Sequence, residues 1–574
     1  MTGDTCVIIV TAVSYSLRAD GVVGYPAEVV EAYRRDGLWG GTSLGGQLRR
    51  AAARYADRLA LVTAGVRWTY AELDERCDRL AAGLLTRTSL RPGDAVMFSM
   101  GNVAETVVAY CGALRAGLVP VCTLPQHRER EIGLLAAHTG ARGHFVQADH
   151  RGHDLTALGV RVAAAGGTLT ELIVARGPVP DGAVGFDSLL AAGAGDSARA
   201  LPAETDIDLL SVAAFQLSGG TTGLPKVAPR LHEEYAYNSR QWADRLGWKP
   251  GTVVLYPLPV MHNAGIALAV QPAWFSGATL VLAADANPAT ILDAIEAERP
   301  DVLPLVPPAV AIRLLDEPRS REVDLSCVTD FIVGGQRLAV EVARRLETEL
   351  GIRCRQMFGM AEGLFTLTPP QAPDAVRLHT VGAPISPADE IRVYGIGSET
   401  EVPDGAEGEL CARGPYTIRG YYRAAGHNAA AFTADGFYRT GDLARRHIVD
   451  GAAYYSIDGR IKDVINRGAE KVHAEEVEEL VVAHPDVRNA ALVAMPDPVL
   501  GERVCAYLVQ EPGSTPLTVA ALAAHLLAQG LAKYKLPERV EVVGGFPLSN
   551  VGKVSKKHLR EDITAKLAAE GTAS

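Results

Sequence analysis

The 574-residue chain lacks the features that most quickly betray a chemistry. Its eight cysteines (Cys6, Cys77, Cys111, Cys122, Cys327, Cys354, Cys411 and Cys505) form no CxxC pair and no Cys/His cluster at metal-ligand spacing. They read as reduced, mostly buried thiols of a cytoplasmic protein. No apolar run approaches a membrane span. The run 6–13 is short and has no basic region before it, which makes it a poor signal peptide. Positive surplus is absent as well. The net charge is -11, and a phosphate backbone demands concentrated basic surface, so no nucleic-acid partner is expected. No internal repeat is visible, and no Asp-Ser attachment site marks a built-in carrier domain.

What is present is an ordinary globular composition, 48% hydrophobic and 21% charged, over a length that predicts roughly three or four structural units. Short apolar runs at 212–217, 253–256, 331–333 and 354–358 each pass directly into glycine, proline or polar residues. They predict strands that deliver loops to the end of a sheet, where ligands bind in α/β proteins. Between them lie helical patterns such as 338–350, where Leu338, Val342 and Leu346 recur every four residues. Segment 180–206, rich in Ala, Gly, Pro and Asp, reads as an exposed connection leading into the first strand of a second unit. A hairpin is expected around Asp450-Gly451. The run after it, about a hundred residues ending in a Lys-rich tail, reads as a small separate domain.

One loop carries phosphate chemistry. Ser218, Gly219, Gly220, Thr221, Thr222, Gly223 and Lys226 follow a strand pattern. Glycines let backbone N–H groups approach phosphate oxygens, the hydroxyls add donors, and the lysine adds charge. The loop is not GxxxxGK[ST], because Pro225 precedes Lys226 and no Ser or Thr follows it.

This loop resembles the phosphate-binding motif of the adenylate-forming superfamily of acyl-CoA synthetases, nonribosomal adenylation domains and luciferases. Further matches follow in the family's order. Trp68-Thr69-Tyr70-Ala71-Glu72-Leu73 is similar to its early structural motif, Gln356-Met357-Phe358-Gly359-Met360-Ala361-Glu362-Gly363 to its adenine and metal motif, and Tyr438-Arg439-Thr440-Gly441-Asp442 to its ribose motif. Gly459-Arg460-Ile461-Lys462-Asp463 resembles the hinge, and Asn550-Val551-Gly552-Lys553-Val554-Ser555-Lys556 the terminal catalytic motif. The wording of Phe358 to Gly363, of Arg413-Gly414-Pro415-Tyr416-Thr417-Ile418-Arg419-Gly420-Tyr421-Tyr422 and of Gly552 to Lys557, with His262-Asn263, resembles the stand-alone aryl acid ligases of the 2,3-dihydroxybenzoate–AMP ligase group.

The resemblance implies an α/β fold: residues 1–460 as layered α/β subdomains plus a distorted β-barrel, and residues 461–574 as a small mobile α+β domain. It implies ATP and Mg²⁺. Lys553 would bridge the substrate carboxylate and the α-phosphate, and Glu362 would hold the metal. Phe358 would stack on adenine, with Gly359, Met360, Ala361, Gly334, Gly335 and Gln336 also lining the nucleotide. Asp442 would accept from the ribose hydroxyls beside Arg460, and Lys462 would be the hinge. Ala469 stands where a second glycine is usual in the pantetheine-path loop. The acid pocket would be formed by His262, Asn263, Ala264, Leu268, Val333 and Gly334. Ala264 and Leu268 replace a usual tyrosine and a usual serine or cysteine, which predicts a wider, more apolar pocket suited to a larger or less hydroxylated aryl or heteroaryl acid such as a picolinate, a quinaldate or a substituted benzoate. The acceptor would be an aryl carrier protein in trans, or CoA, or a non-thiol nucleophile. A catalytically silent relative should have lost Glu362, Asp442 or Lys553, and all three are present.

Overall fold

The computed structural model describes residues 21–195, 201–202, 206–218, 225–467, 470–497, 500–548 and 553–572. Four sheets organise them. The largest has nine strands in the order Ala383–Pro384, Leu364–Leu367, Arg355–Met360, Asp330–Gly334, Val302–Val306, Val253–Tyr256, Thr279–Leu282, Leu59–Thr63 and Val66–Thr69. Its six central strands are parallel. Parallel strands covered on both faces read as unbroken apolar runs, which is why 253–256 and 331–333 were legible as strands.

The second sheet has seven strands, in the order Val184–Gly185, Glu171–Ala175, Gly143–Gln147, Ala95–Ser99, Val119–Val121, Val212–Ser218 and Lys226–Leu231. The expectation for 180–206 is corrected here. The strand Val212–Ser218 completes this sheet beside Val121 rather than opening a second unit. Within the supposed connection, Val184–Gly185 forms an edge strand and Phe186–Ala192 a helix whose Phe186 and Leu189 are buried. Small residues made the segment look exposed, but they serve close packing. A Cβ on Gly193 would lie 1.8 Å from the Arg79 carbonyl, and one on Gly83 of the helix Tyr70–Arg87 2.2 Å from the Leu189 carbonyl, so the two segments meet through glycine on both sides. That long helix begins on a capping box, with Thr69 and Glu72 each bonding the other's backbone.

The β-rich unit expected as a barrel is a four-stranded antiparallel sheet, Glu390–Tyr394, Glu407–Arg413, Tyr438–Val449 and Ala452–Arg460. Tyr455 ties it to the large sheet, its carbonyl accepting from the Val381 N–H at 2.8 Å and its own N–H donating to the Gly382 carbonyl at 3.0 Å. Its hairpin turns at Asp450 and Gly451, with φ of +50° and +78°, the left-handed pair expected for such a turn. The last sheet orders Glu470–His473, Val464–Arg467, Gly501–Gln510 and Val487–Asp497, with Arg539–Val542 on Gly501–Gln510. It has its own apolar core, including Val477, Val481, Leu508, Leu522 and Leu526. Among the described residues no helix is long and apolar enough to cross a membrane.

Candidate active site

Three loops leave the carboxyl ends of parallel strands in the large sheet and converge. Val253–Tyr256 leads to His262 and Asn263, Asp330–Gly334 to Gly335 and Gln336, and Arg355–Met360 to Ala361 and Glu362. The seven-stranded sheet contributes Ser218 and Lys226, which face each other as the last register pair of a hairpin. Gly219, Gly220, Thr221, Thr222 and Gly223 lie outside the described residues. The four-stranded sheet contributes Asp442 and Arg460, a cross-strand pair. Lys553 comes from the C-terminal unit.

Lys553 is half-buried, and burial of its ammonium pushes it down to about 8, with Arg460 adding repulsion while Asp442 and Glu362 oppose. Its place is made by a glycine. Gly335 has φ of +88°, and a Cβ there would stand 3.0 Å from Lys553 Cε and 3.7 Å from Nζ. The next residue, Val554, donates its backbone N–H to Gln336 Oε1 at 3.4 Å. The ammonium is felt by His262, whose imidazole is pushed down to about 4 by burial and then by Lys553. His262 is thus neutral at physiological pH, and its Nδ1 accepts from the Ala264 N–H at 3.3 Å.

Arg460 Nε and Asp442 Oδ1 are 2.8 Å apart. Burial raises the Asp442 carboxyl while Arg460 lowers it, and the carboxylate in turn raises Arg460. Glu362 is buried, and its Oε1 accepts a short hydrogen bond from Tyr421, whose oxygen lies 2.8 Å from the Tyr438 hydroxyl. The loop that carries it needs glycine at the next position: Gly363 has φ of +97°, and a Cβ would meet the Tyr416 carbonyl at 1.7 Å. Lys226 Nζ lies 2.9 Å from His427 Nε2 and 4.9 Å from the Tyr421 ring centroid. Burial lowers its ammonium, and Glu362 opposes that. Among the described residues no group of three or more acidic, His or Cys side chains could hold a metal alone. Glu362 fits Mg²⁺ in the way that ion is commonly held, by one carboxylate with waters and substrate phosphates completing the shell.

Of the residues expected to form the acid pocket, Asn263 is buried, and its Oδ1 accepts from Tyr235 at 2.9 Å and Arg230 at 3.4 Å. Ala264 keeps slight exposure, whereas Leu268, on the π-helix Ile266–Val270, is fully buried in the main core, as Val333 is in a neighbouring one. A π-helical turn is a frequent mark of a functional site. Gly334 packs tightly, since a Cβ there would meet Met357 Cγ at 2.5 Å. Phe358 and Met360 are half-buried against the core of the four-stranded sheet, and Gly359 lies under the Phe365 ring. Lys462 lies in the short 3₁₀ turn Ile461–Asp463. Ala469 lies outside the described residues. Sequence reasoning assigned no role to Arg230, Tyr235, Tyr421, His427 or Tyr438. The one available signal was an arginine inside the otherwise apolar run 227–231, four residues before Glu234.

Comparison with known proteins identifies the family. The family profile described as AMP-binding enzyme matches residues 48–422, and that of the AMP-binding enzyme C-terminal domain matches residues 476–553. The chain is 43% identical to a salicylyl-CoA synthase / salicylate adenylyltransferase of a Streptomyces species, over 95% of this chain and 98% of the relative. It is 39% identical to the 2,3-dihydroxybenzoate-AMP ligase of Bacillus subtilis, over 96% and 99%. The apo structure of Mycobacterium smegmatis MbtA superposes with a TM-score of 0.72 at 37% identity, covering 95% of this chain and 99% of that one.

Proposed function

The chain belongs to the AMP-binding enzyme family, within its stand-alone aryl acid–AMP ligase group, and on that premise we propose that it activates an aryl or heteroaryl carboxylic acid with ATP and passes the acyl group to the phosphopantetheine thiol of a carrier protein. The acid's carboxylate is already anionic near neutral pH, so no base is required. A carboxylate oxygen forms a bond to the α-phosphorus, and the bond from that phosphorus to pyrophosphate breaks, its electron pair leaving with pyrophosphate. The thiolate of the carrier then adds to the acyl carbon and AMP departs.

The observation that carries this reading is the buried Lys553 ammonium, seated against Gly335 and within the fields of His262, Asp442, Arg460 and Glu362. A cation there draws two anions together and meets the charge that builds on the α-phosphate oxygens. Glu362, whose Oε1 accepts from Tyr421, would hold Mg²⁺, which would supply positive charge against the nucleotide phosphates. Asp442 accepts from the ribose hydroxyls, Phe358 stacks on adenine, and Ser218, Lys226 and the loop between them hold the β- and γ-phosphates. Residues 1–460 form the ATP- and acid-binding body, residues 461–574 the body that carries the lysine, and Lys462 the hinge between them. The enzyme works in the cytoplasm.

ATP–pyrophosphate exchange over a panel of aromatic acids tests the proposal. Exchange is expected with an aryl or heteroaryl acid, and no exchange with any member would defeat the adenylation reading. The wider pocket at Ala264 favours acids larger or less hydroxylated than 2,3-dihydroxybenzoate, so a clear optimum with that acid would defeat this part alone. Thioester formation with a purified aryl carrier protein, compared with free CoA, identifies the acceptor. The 43% identical relative is named both for salicylyl-CoA synthesis and for salicylate adenylyl transfer.

A further inference from the structure

Lys226 opens the strand Lys226–Leu231 opposite Ser218, where the phosphate loop returns to the sheet. Among the described residues no carboxylate lies within ion-pair reach of its ammonium. The partner at hydrogen-bond distance is an imidazole 201 residues further along the chain, with Lys226 Nζ 2.9 Å from His427 Nε2. His427 sits on the short helix Ala425–Ala431. The Tyr421 ring stands beside both side chains, its centroid 4.9 Å from Nζ and 5.2 Å from the centre of the imidazole. Asn428, the neighbour of His427, fixes helix and tyrosine together: its Oδ1 accepts from the Tyr421 N–H at 2.9 Å, and its Nδ2 donates to the Tyr421 carbonyl at 2.9 Å. The Tyr421 hydroxyl meanwhile donates to Glu362.

An ammonium offers only protons. Nε2 must therefore be the bare ring nitrogen that accepts, and Nδ1 the one that carries the proton, so the imidazole is neutral. Its titration agrees with this, since burial, and after it the Lys226 charge, hold His427 below its ordinary value. A lysine head rides on a flexible four-carbon stem, and it has much rotamer freedom to lose when it grips an anion. Fixing one of its protons on an imidazole, with a ring face beside the head, removes part of that freedom before the nucleotide arrives, which is how preorganisation raises affinity. A carboxylate at 427 would anchor the head more strongly, but it would also neutralise the charge that phosphates seek and repel them. A neutral acceptor is the partner that an anion site tolerates.

We infer that His427 is a positioning residue that holds the Lys226 ammonium ready for the β- and γ-phosphates of ATP, and hence for the departing pyrophosphate, an assignment that rests on reading Lys226 as a phosphate ligand. Tyr421 makes the arrangement a shared one. The ring that steadies Lys226 carries the hydroxyl that bonds Glu362, so the phosphate-binding cation and the carboxylate proposed for Mg²⁺ are set from one side chain.

The test is ATP–pyrophosphate exchange by the full-length enzyme with the acid that supports it best, read as separate KM values for ATP, pyrophosphate and the acid. His427→Leu should raise the KM for ATP and for pyrophosphate about threefold to tenfold. It should leave the KM of the acid unchanged and kcat within about twofold, as loss of an interaction made equally in ground and transition states does. His427→Gln, whose amide oxygen can take the place of Nε2, should stay within about twofold of the wild type. In a Lys226→Met background the further change His427→Leu should cost less than about twofold, because it acts through the missing ammonium. His427 is exposed, so its variants are expected to keep the wild-type melting temperature. Unchanged KM values in His427→Leu, a loss in His427→Gln as large as in His427→Leu, or a full His427→Leu effect that persists in Lys226→Met overturns the inference. Lys226→Met with the KM values for ATP and pyrophosphate unchanged would instead remove the reading of Lys226 as a phosphate ligand.

Discussion

At the scale of single residues, the chemistry depends on a cation kept where water would normally solvate it. Burial of the Lys553 ammonium favours the neutral amine, so its charged form, the one that the proposed role requires, is retained only below about pH 8 in the free enzyme. The sign follows: kcat/KM for exchange should fall as pH rises through about 8, while the limb in kcat should lie higher because bound anions restore the proton. A flat profile from pH 7 to about 9 would contradict the role. Lys553→Ala should slow exchange on the order of a hundredfold or more and leave ATP binding, read by calorimetry, within a few-fold. Tyr421 supports Glu362 from one side. Tyr421→Phe is expected to raise the Mg²⁺ concentration needed for half-maximal exchange and to lower the rate about tenfold, as loss of a charge-assisted hydrogen bond would.

At the scale of elements, glycines fix where loops may run. Gly335→Ala sets a Cβ 3.0 Å from Lys553 Cε on a backbone with φ of +88°, so exchange should fall much more than thermal stability does. Gly363→Ala drives a Cβ to 1.7 Å from the Tyr416 carbonyl at φ of +97° and should lower the melting temperature by several degrees, consistent with a loss of about 2 kcal/mol or more. Both comparisons need only calorimetry and the exchange assay. The same elements indicate what the chain discloses in one dimension. Strands 253–256 and 331–333 were readable because each is apolar and buried on both faces, and the motifs at their ends were readable because phosphate and ribose chemistry needs particular residue types. The helix Phe186–Ala192 was hidden, since glycine and alanine spell exposure in composition and close approach in packing. Sheet order was hidden as well, because crossovers rather than strand residues decide it. Arg230 escaped notice because its meaning lies in Asn263, Ala361 and Tyr416, far along the chain.

At the scale of the whole molecule, Lys553 reaches the candidate site across a largely polar seam between the C-terminal sheet's unit and the rest of the chain. Arg337 and Glu479 pair at 2.7 Å, His473 lies 3.4 Å from Glu407, Arg488 contacts Asp316, and Val554 bonds Gln336. Val482 supplies apolar contact. Half-exposed pairs of this kind contribute roughly 0.2–1 kcal/mol each. Arg337→Ala should therefore reduce exchange only about twofold to fivefold, and the double reversal Arg337→Glu with Glu479→Arg should restore much of the loss. A seam of charges also answers to the solvent differently from a greasy one. Added sodium chloride shortens the screening length from about 10 Å at 0.1 M to about 3 Å at 1 M and should loosen the grip on the lysine-bearing body, whereas sulfate, which strengthens apolar burial, offers little compensation. Ionic strength thus becomes an external throttle on the first half-reaction, acting through the seam and leaving the buried acid pocket unscreened.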